Sequence, residues 1–178
     1  PYDYGVEVDV RTKDNKLVLS HDAFDDGVNL EDWLKNYCHA GLIANVKEDG
    51  LEIYIQEMLE AYGCQDYFFL DQPIPSIIRS PSHLKAHQMV RFSKYESIES
   101  CLALGPYCGS YWIDCFNYKV ICSESLERLR ATLKQLCFVS PELQGCTDVE
   151  LIKQFVTIIK EKSKDGDSVC TKYPHLWL

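Results

Sequence analysis

Two carboxylates on one predicted strand, and a histidine shortly after it, are the residues of this sequence best suited to chemistry. Glu7 and Asp9 are separated by one residue in GVEVDVR, and His21 with Asp22 ends the run LVLSHD. Side chains two positions apart on a strand share one face, about 7 Å apart. Two like charges at that spacing are costly to bury, and a hard divalent cation such as Mg²⁺ or Ca²⁺ offsets that cost.

Each of these residues also has a structural interpretation. The alternation equally allows Glu7 and Asp9 to face water on an edge strand whose valine face alone is buried. His21 occupies a position suited to a general acid or base, although a histidine that follows a strand is commonly structural. The sequence pattern alone leaves both alternatives open.

A second polar pair follows on the next apolar run. Asn45 and Lys47 alternate with Ala44 and Val46 in LIANVK, so both fall on one face of a strand. If Lys47 faces the same site as the two carboxylates, it would balance their charge or contact a phosphate oxygen. If it lies on the surface, it would have no such role.

The elements that must position these side chains alternate along the chain. Apolar runs predict strands, stretches of helical periodicity predict helices, and Asp14-Asn15 predicts a turn between the first two strands. Strands are predicted over 5–11, 17–21, 42–47, 67–70, 89–93, 111–116, 136–139 and 168–171, and helices over 29–39, 51–62, 75–79, 98–104, 124–134 and 148–162.

This alternation indicates an α/β fold with parallel strands. An open doubly wound sheet and a closed (β/α) barrel both fit, but no Gly-rich phosphate loop follows the first strand, which disfavours a dinucleotide-binding sheet. In a barrel the active site lies at the carboxyl ends of the strands. Arg91, Trp112 and Asp114 are therefore predicted to line a substrate pocket, in which the Trp112 indole would pack against a head group.

The composition fits one soluble globular domain over residues 1–178. The chain is 46% hydrophobic and 25% charged, and its net charge of −9 argues against nucleic-acid binding. No predicted segment resembles a signal peptide or a membrane span, and the nine cysteines form no CxxC pair. We therefore expect reduced thiols in a cytoplasmic protein.

Cysteines 101, 108, 115 and 122 recur every seven residues, but glycine and proline interrupt any helix that would align them as metal ligands.

The segment GVEVDVRTKDNKLVLSHD resembles the pattern of the glycerophosphodiester phosphodiesterases, which have an E-x-D strand, a polar turn and an apolar strand ending in His-Asp. LIANVK is similar to the family strand that carries an acid-x-Lys pair, and VCTKYP to its closing Thr-x-x-Pro strand. In this order the resemblance extends over nearly the whole chain.

The resemblance implies a triosephosphate-isomerase-type barrel that hydrolyses a small-molecule phosphodiester with the help of Mg²⁺ or Ca²⁺. Glu7 and Asp9 would match the family's metal ligands, with Asn45 at the third ligand position. His21 would match one of two catalytic histidines, and Lys47 the active-site lysine.

The sequence also departs from the family pattern. It begins where the second family strand should be, so the barrel is expected to be shortened or incomplete at its N-terminus and to lack the His-Arg motif of the first strand. Asn45 supplies no charge at the third ligand position, and Lys172 replaces an acidic residue in the closing motif. Two alternatives therefore remain: a barrel that binds a phosphorylated ligand without turnover, and a phospholipase-type lyase that forms a cyclic phosphate. The oligomeric state is not predicted.

Overall fold

The computed structural model describes residues 3–178, and the chain divides into two compact units, 1–88 and 89–178. Each unit has its own sheet with helices connecting the strands. A single domain over residues 1–178 stays a prediction.

The first unit contains a five-stranded mixed sheet with the strand order β3-β2-β1-β4-β5. Its strands are β1 (Val6–Lys13), β2 (Lys16–Leu19), β3 (Val28–Asn29), β4 (Leu42–Val46) and β5 (Tyr67–Leu70). Its helices are α1 (Leu30–Leu34), α2 (Glu52–Ala61) and α3 (Ile74–Arg79), followed by a 3₁₀ segment, Ser82–His87. β1, β4 and β5 are parallel, whereas β2 pairs antiparallel with β1 and β3.

The hairpin between β1 and β2 follows from its turn residues. Asp14 and Asn15 have φ values of 48° and 61°. Two-residue hairpin loops favour positive φ at both positions, because that backbone twist matches the twist of the strands, and Asp and Asn tolerate it better than most residues. The predicted turn is confirmed, and it makes this end of the sheet antiparallel.

The alternation of β1 separates an apolar face from a polar one. Val10 is fully buried in a core that also contains Leu30, Ile55, Leu59 and Phe69 from the neighbouring helices and strands. Val6 and Val8 pack against the same core. Glu7 and Asp9 alternate with these valines and therefore belong to the other face of the sheet.

The first helix is shorter than its periodicity predicts. Asn29 caps it as expected, since Asn29 Oδ1 accepts a hydrogen bond from Asp32 N at 3.0 Å, but α1 ends at Leu34 instead of continuing to residue 39. Beyond it the chain turns so that the His39 ring stacks on the Trp33 ring with 6.0 Å between centroids. This aromatic packing replaces the last turns of the predicted helix.

The second unit contains a four-stranded sheet with the order β6-β7-β8-β9, in which every neighbouring pair is parallel. Its strands are β6 (Met89–Phe92), β7 (Ser110–Ile113), β8 (Gln135–Val139) and β9 (Ser168–Cys170), and its helices are α4 (Ile98–Leu104), α5 (Ser123–Arg130) and α6 (Val149–Lys162). Three 3₁₀ segments complete it: Gly105–Tyr107, Pro141–Gln144 and Pro174–Leu176.

The α/β class with parallel strands is confirmed, with the antiparallel β2 and β3 as an addition at one end. The closed barrel stays a prediction. Within residues 3–178 no helix combines the length and the apolar character that a membrane span requires.

Candidate active site

The polar face of the first sheet brings together four of the predicted site residues, two from the first half of β1 and two from the end of β4. The strand register sets Asp9 directly beside Asn45 and Glu7 beside Ile43. Paired residues of adjacent parallel strands lie on the same face, so the acid pair of β1 and the Asn45 side chain share one surface.

Lys47 supplies a positive charge to this group. Its Nζ lies 2.9 Å from Asp9 Oδ1, and the side chains are only 19% and 20% exposed, respectively. The Lys47 backbone N–H donates to Val10 O at 3.0 Å, which extends the β1–β4 ladder by one residue and fixes the lysine beside Asp9. Lys47 is therefore an ion-pair partner of Asp9.

The Glu7 carboxyl lies in a less favourable environment. Burial raises its pKa above the usual 4.5, and the negative charges of Asp9 and Asp71 raise it further. The Asn45 side chain, within hydrogen-bonding reach, and the Lys47 ammonium oppose this rise. The ionised form of Glu7 is thus under-compensated by its protein neighbours.

Asn45 carries an unused acceptor in the same place. The residue is only 8% exposed, and its Oδ1 has no hydrogen-bond partner among the described residues. A buried amide oxygen without a partner costs free energy, on the order of 1–3 kcal/mol. The arrangement fits a hard cation, because two carboxylates and an amide oxygen are the ligand types that Mg²⁺ and Ca²⁺ prefer.

We expect Glu7→Gln to stabilise the metal-free protein near pH 7, by on the order of 1 kcal/mol. A carboxyl whose folded-state pKa is raised favours folding while it is protonated, and this contribution is lost as the pH rises through the folded pKa. The free energy of unfolding of Glu7→Gln should therefore exceed that of the unmodified protein above the folded-state pKa of Glu7. The difference should disappear below the ordinary pKa of 4.5. Urea unfolding in EDTA from pH 4 to 8 would measure it.

Asp9→Asn is the matched control for this experiment. It removes the same charge but breaks the ion pair with Lys47, so it should destabilise the protein at pH 7. If the two substitutions had the same effect, the assignment of Glu7 as the under-compensated carboxylate would be wrong.

His21 lies on the loop that follows β2. Ser20 N–H donates to Asp9 O at 3.0 Å, so this loop leaves the sheet beside Asp9. The His21 and Asp22 side chains are both 74% exposed, with Nδ1 2.8 Å from Asp22 Oδ1. Because a carboxylate only accepts, Nδ1 carries the proton of this hydrogen bond and leaves Nε2 as an acceptor when the ring is neutral. Arg11 anchors the loop by donating to His21 O at 3.1 Å.

In the second unit the structure brings together Arg91, Trp112 and Asp114. The register pairs Arg91 of β6 with Trp112 of β7, and Asp114 follows β7 directly. The Arg91 guanidinium donates to Asp114 Oδ2, which also accepts from Trp112 Nε1 at 3.3 Å. Gln144 Nε2 donates to Asp114 Oδ1 at 2.7 Å. The Asp114 side chain is 1% exposed, so this network is buried around its carboxylate.

Two further residues of the second unit belong to this region and were not singled out from the sequence. The Arg91 guanidinium lies over the Phe116 ring, 5.7 Å from its centroid. Glu142 is 6% exposed and accepts hydrogen bonds from the Ser140 and Thr171 hydroxyls and from Lys172 N. The sequence did contain a signal for Glu142, since it is a polar residue shortly after the apolar run that forms β8. Parallel strands place such residues at the carboxyl edge of the sheet.

The cysteines do not form a cluster of metal ligands. No group of three or more His, Cys, Asp or Glu side chains between residues 3 and 178 is arranged to hold a metal ion. Burial raises the pKa of Cys101 and Cys115 to about 12 and that of Cys108 to about 11, so these thiols stay protonated at neutral pH. Cys122 is exposed at the start of α5 and does not continue their pattern.

Two surface clefts lie apart from the carboxylate pair. One of about 290 Å³ borders the loop after β2 and is lined by Ser20, Asp22, Phe24 and Glu48, among others. The other, of about 430 Å³, lies in the second unit between α5 and the end of α6. Neither is lined by Glu7, Asp9, Asn45 or Lys47.

Comparisons with known proteins bear on the fold. No protein-family model and no curated protein sequence matches the chain. Among solved structures, the chain is similar to the crystal structure of a glycerophosphodiester phosphodiesterase from Agrobacterium tumefaciens, with a TM-score of 0.64 and 13% sequence identity. The match covers 98% of this chain and 86% of that one. At this level of identity the similarity shows a shared α/β fold.

Proposed function

We propose that this protein hydrolyses a phosphodiester of the glycerophosphodiester type, using bound Mg²⁺ or Ca²⁺, and releases an alcohol and glycerol phosphate. The observation that carries the proposal is the group formed by Glu7, Asp9, Asn45 and Lys47, in which the acid pair of β1 lies beside the end of the adjacent parallel strand β4. Its occurrence in a fold similar to that of a phosphodiesterase supports the proposed reaction.

The cation would be held by Glu7, Asp9 and Asn45. The under-compensated charge of Glu7 and the unpartnered Oδ1 of Asn45 are the features that a hard cation would satisfy. When bound, such a cation polarises phosphoryl oxygens and offsets the charge that develops on them.

Lys47 would contact a non-bridging oxygen of the phosphate. The hydrogen bond to Asp9 keeps its ammonium group beside the carboxylates, and its partial exposure leaves it accessible to a substrate oxygen. A fixed positive charge in a site shielded from water stabilises the negative charge that develops on the phosphate in the transition state. This stabilisation is stronger than the same charge would give in bulk water.

His21 would transfer the proton. The Asp22 carboxylate orients its ring by accepting from Nδ1, so Nε2 is available to take a proton from an attacking water or to return one to the leaving oxygen. The exposure of the imidazole gives it access to solvent water.

Arg91, Trp112 and Asp114 would form a pocket within the second unit that binds an anionic group of a ligand. Asp114 fixes the guanidinium by a buried hydrogen bond, and Arg91 keeps 21% of its side chain exposed. A guanidinium held in this way suits an anionic group of the ligand, and Trp112 is 5% exposed, so its indole would form part of the wall.

A second candidate function is binding of a phosphorylated ligand without turnover. The amide of Asn45 favours it, because an amide contributes a ligand oxygen but no charge, so the cation would be held less strongly than by three carboxylates. In this case the same residues bind the phosphate and no bond is broken.

The deciding experiment is a hydrolysis assay of glycerophosphocholine and glycerophosphoethanolamine with the full natural chain, including any residues that precede Pro1. We expect Mg²⁺- or Ca²⁺-dependent release of glycerol phosphate that EDTA abolishes. Phosphorus NMR would separate this product from a cyclic phosphate, which would indicate a lyase. Cation-dependent binding without any product would refute hydrolysis and support the binding function.

A further inference from the structure

Arg11 lies on the polar face of the first sheet, two residues after Asp9 on β1. Residues 7, 9 and 11 of a strand share one face, so Arg11 continues the row that the acid pair begins. Its partner in the antiparallel pairing with β2 is Val18, which is 7% exposed, and Arg11 itself is partly buried. β1 therefore carries a cationic side chain on the same face as its two carboxylates.

The Arg11 guanidinium holds the backbone of His21. Its Nε and Nη2 both donate to His21 O, at 3.2 and 3.1 Å, respectively. One residue earlier along the loop, Ser20 N–H donates to Asp9 O at 3.0 Å. The Cα atom of His21 thus lies, along the chain, between two backbone groups that β1 fixes. These contacts set the direction in which the His21 side chain leaves the backbone.

The part of β1 that carries Arg11 is itself held in place. The next residue, Thr12, donates twice to the Glu48 carboxylate, from its N–H to Oε1 at 2.8 Å and from its hydroxyl to Oε2 at 2.5 Å. Glu48 follows Lys47 directly, so this contact joins the segment after β4 to β1. The Arg11 side chain therefore reaches His21 from a fixed backbone.

The imidazole of His21 depends on its backbone contacts for its position. Its side chain is 74% exposed, so packing does little to hold it, and residues 20–27 form neither helix nor strand. Asp22 orients the ring but belongs to the same loop and moves with it. Lys13 also joins this loop to β1 by pairing with Asp26, but the Asp26 side chain is 95% exposed, and exposed pairs contribute only about 0–1 kcal/mol.

We propose that Arg11 is a positioning residue, which holds the His21 imidazole in the place from which it transfers the proton. This inference rests on the proposed function. Arg11 acts through the His21 backbone and does not touch the substrate. Proton transfer needs heavy atoms within about 2.6–3.2 Å of each other, and a displacement of about 1 Å lowers a rate by up to about 100-fold. Loss of the two hydrogen bonds should therefore appear in kcat.

The test is Arg11→Met, which removes both donors and keeps the apolar part of the side chain beside Val18. With the diester that the unmodified protein hydrolyses, we expect a kcat about 10- to 100-fold lower and an unchanged KM. Arg79→Met is the matched control, because Arg79 is exposed at the end of α3 in the same unit. This control should keep the kcat and KM of the unmodified protein.

A double substitution separates positioning of His21 from a general structural role. Adding Arg11→Met to His21→Ala should lower kcat no further, because the group that Arg11 positions is already absent. An equal fall in kcat in both backgrounds would overturn the proposal. A higher KM with unchanged kcat would also overturn it, since this result would mean that Arg11 binds the phosphate directly.

Hydrogen exchange measures the loop without requiring turnover. The amides of residues 20–27 should exchange faster in Arg11→Met than in the unmodified protein, because the loop loses two hydrogen bonds to β1. Unchanged exchange would show that Arg11 does not hold the loop and would refute its role.

Two outcomes distinguish failure of this inference from failure of the proposed function. If Arg11→Met and the unmodified protein hydrolyse the diester equally fast, the role of Arg11 is refuted and the proposed function stands. If the unmodified protein hydrolyses no diester, the proposed function fails, and the positioning role fails with it.

Discussion

Asp114→Ala is expected to destabilise the protein by about 3–5 kcal/mol, the usual cost of leaving one member of a buried ion pair without its partner. The Asp114 side chain is 1% exposed and accepts hydrogen bonds from Arg91, Trp112 and Gln144. Its removal takes the carboxylate acceptor away from all three donors in a site that is largely shielded from water. Urea unfolding followed by tryptophan fluorescence would measure the loss.

The matched control is Glu99→Ala in the same unit. Glu99 pairs with Arg128 at 2.9 Å, but its side chain is 70% exposed. Exposed pairs of this kind contribute about 0–1 kcal/mol, so this variant should remain close to the unmodified protein. If Asp114→Ala were as mild as Glu99→Ala, the buried network would not be a main source of stability in the second unit.

His21→Ala is expected to lower kcat for phosphodiester hydrolysis about 10²- to 10⁴-fold, the usual contribution of a general acid or base. The fold should be unaffected, because the His21 side chain is 74% exposed and its main link to the protein is through its backbone carbonyl. Steady-state kinetics with Mg²⁺ or Ca²⁺, together with the urea unfolding midpoint, would separate the two effects.

His83→Ala is the corresponding histidine control. His83 is also exposed in the first unit, where it contacts Gln56 at 3.2 Å, and it has no place in the proposed reaction. Full activity of His21→Ala in a protein that hydrolyses the diester would remove His21 from the mechanism. The kcat of Asp22→Asn should lie between those of His21→Ala and His83→Ala, because this substitution weakens the hydrogen bond that orients the His21 ring but leaves the ring present.

Local sequence rules predict the polar face of β1 well. Strict alternation places Glu7 and Asp9 opposite the valines, and the structure buries Val10 completely while it sets Asp9 beside Asn45. The pairing of Asp9 with Lys47 was also predictable, because parallel neighbours bring the ends of adjacent strands together.

Contacts that depend on exceptions to these rules were not predictable. Glu142 lies on a 3₁₀ segment with no periodicity of its own, and its partners Thr171 and Lys172 are about thirty residues away. The helix predicted over residues 29–39 failed for a related reason, since stacking of His39 on Trp33 is a tertiary contact that helical periodicity does not encode.

The hydrogen bonds of Glu142 have a consequence for how the second unit can move. The carboxylate joins the segment after β8 to the segment after β9, through Ser140 on one side and Thr171 with Lys172 on the other. Drawing these segments apart would leave a buried charge without donors, which is a costly opening. They should therefore move as one rigid piece. If this unit changes conformation when a ligand binds, the movement should occur at more exposed positions such as Tyr95, which is 73% exposed.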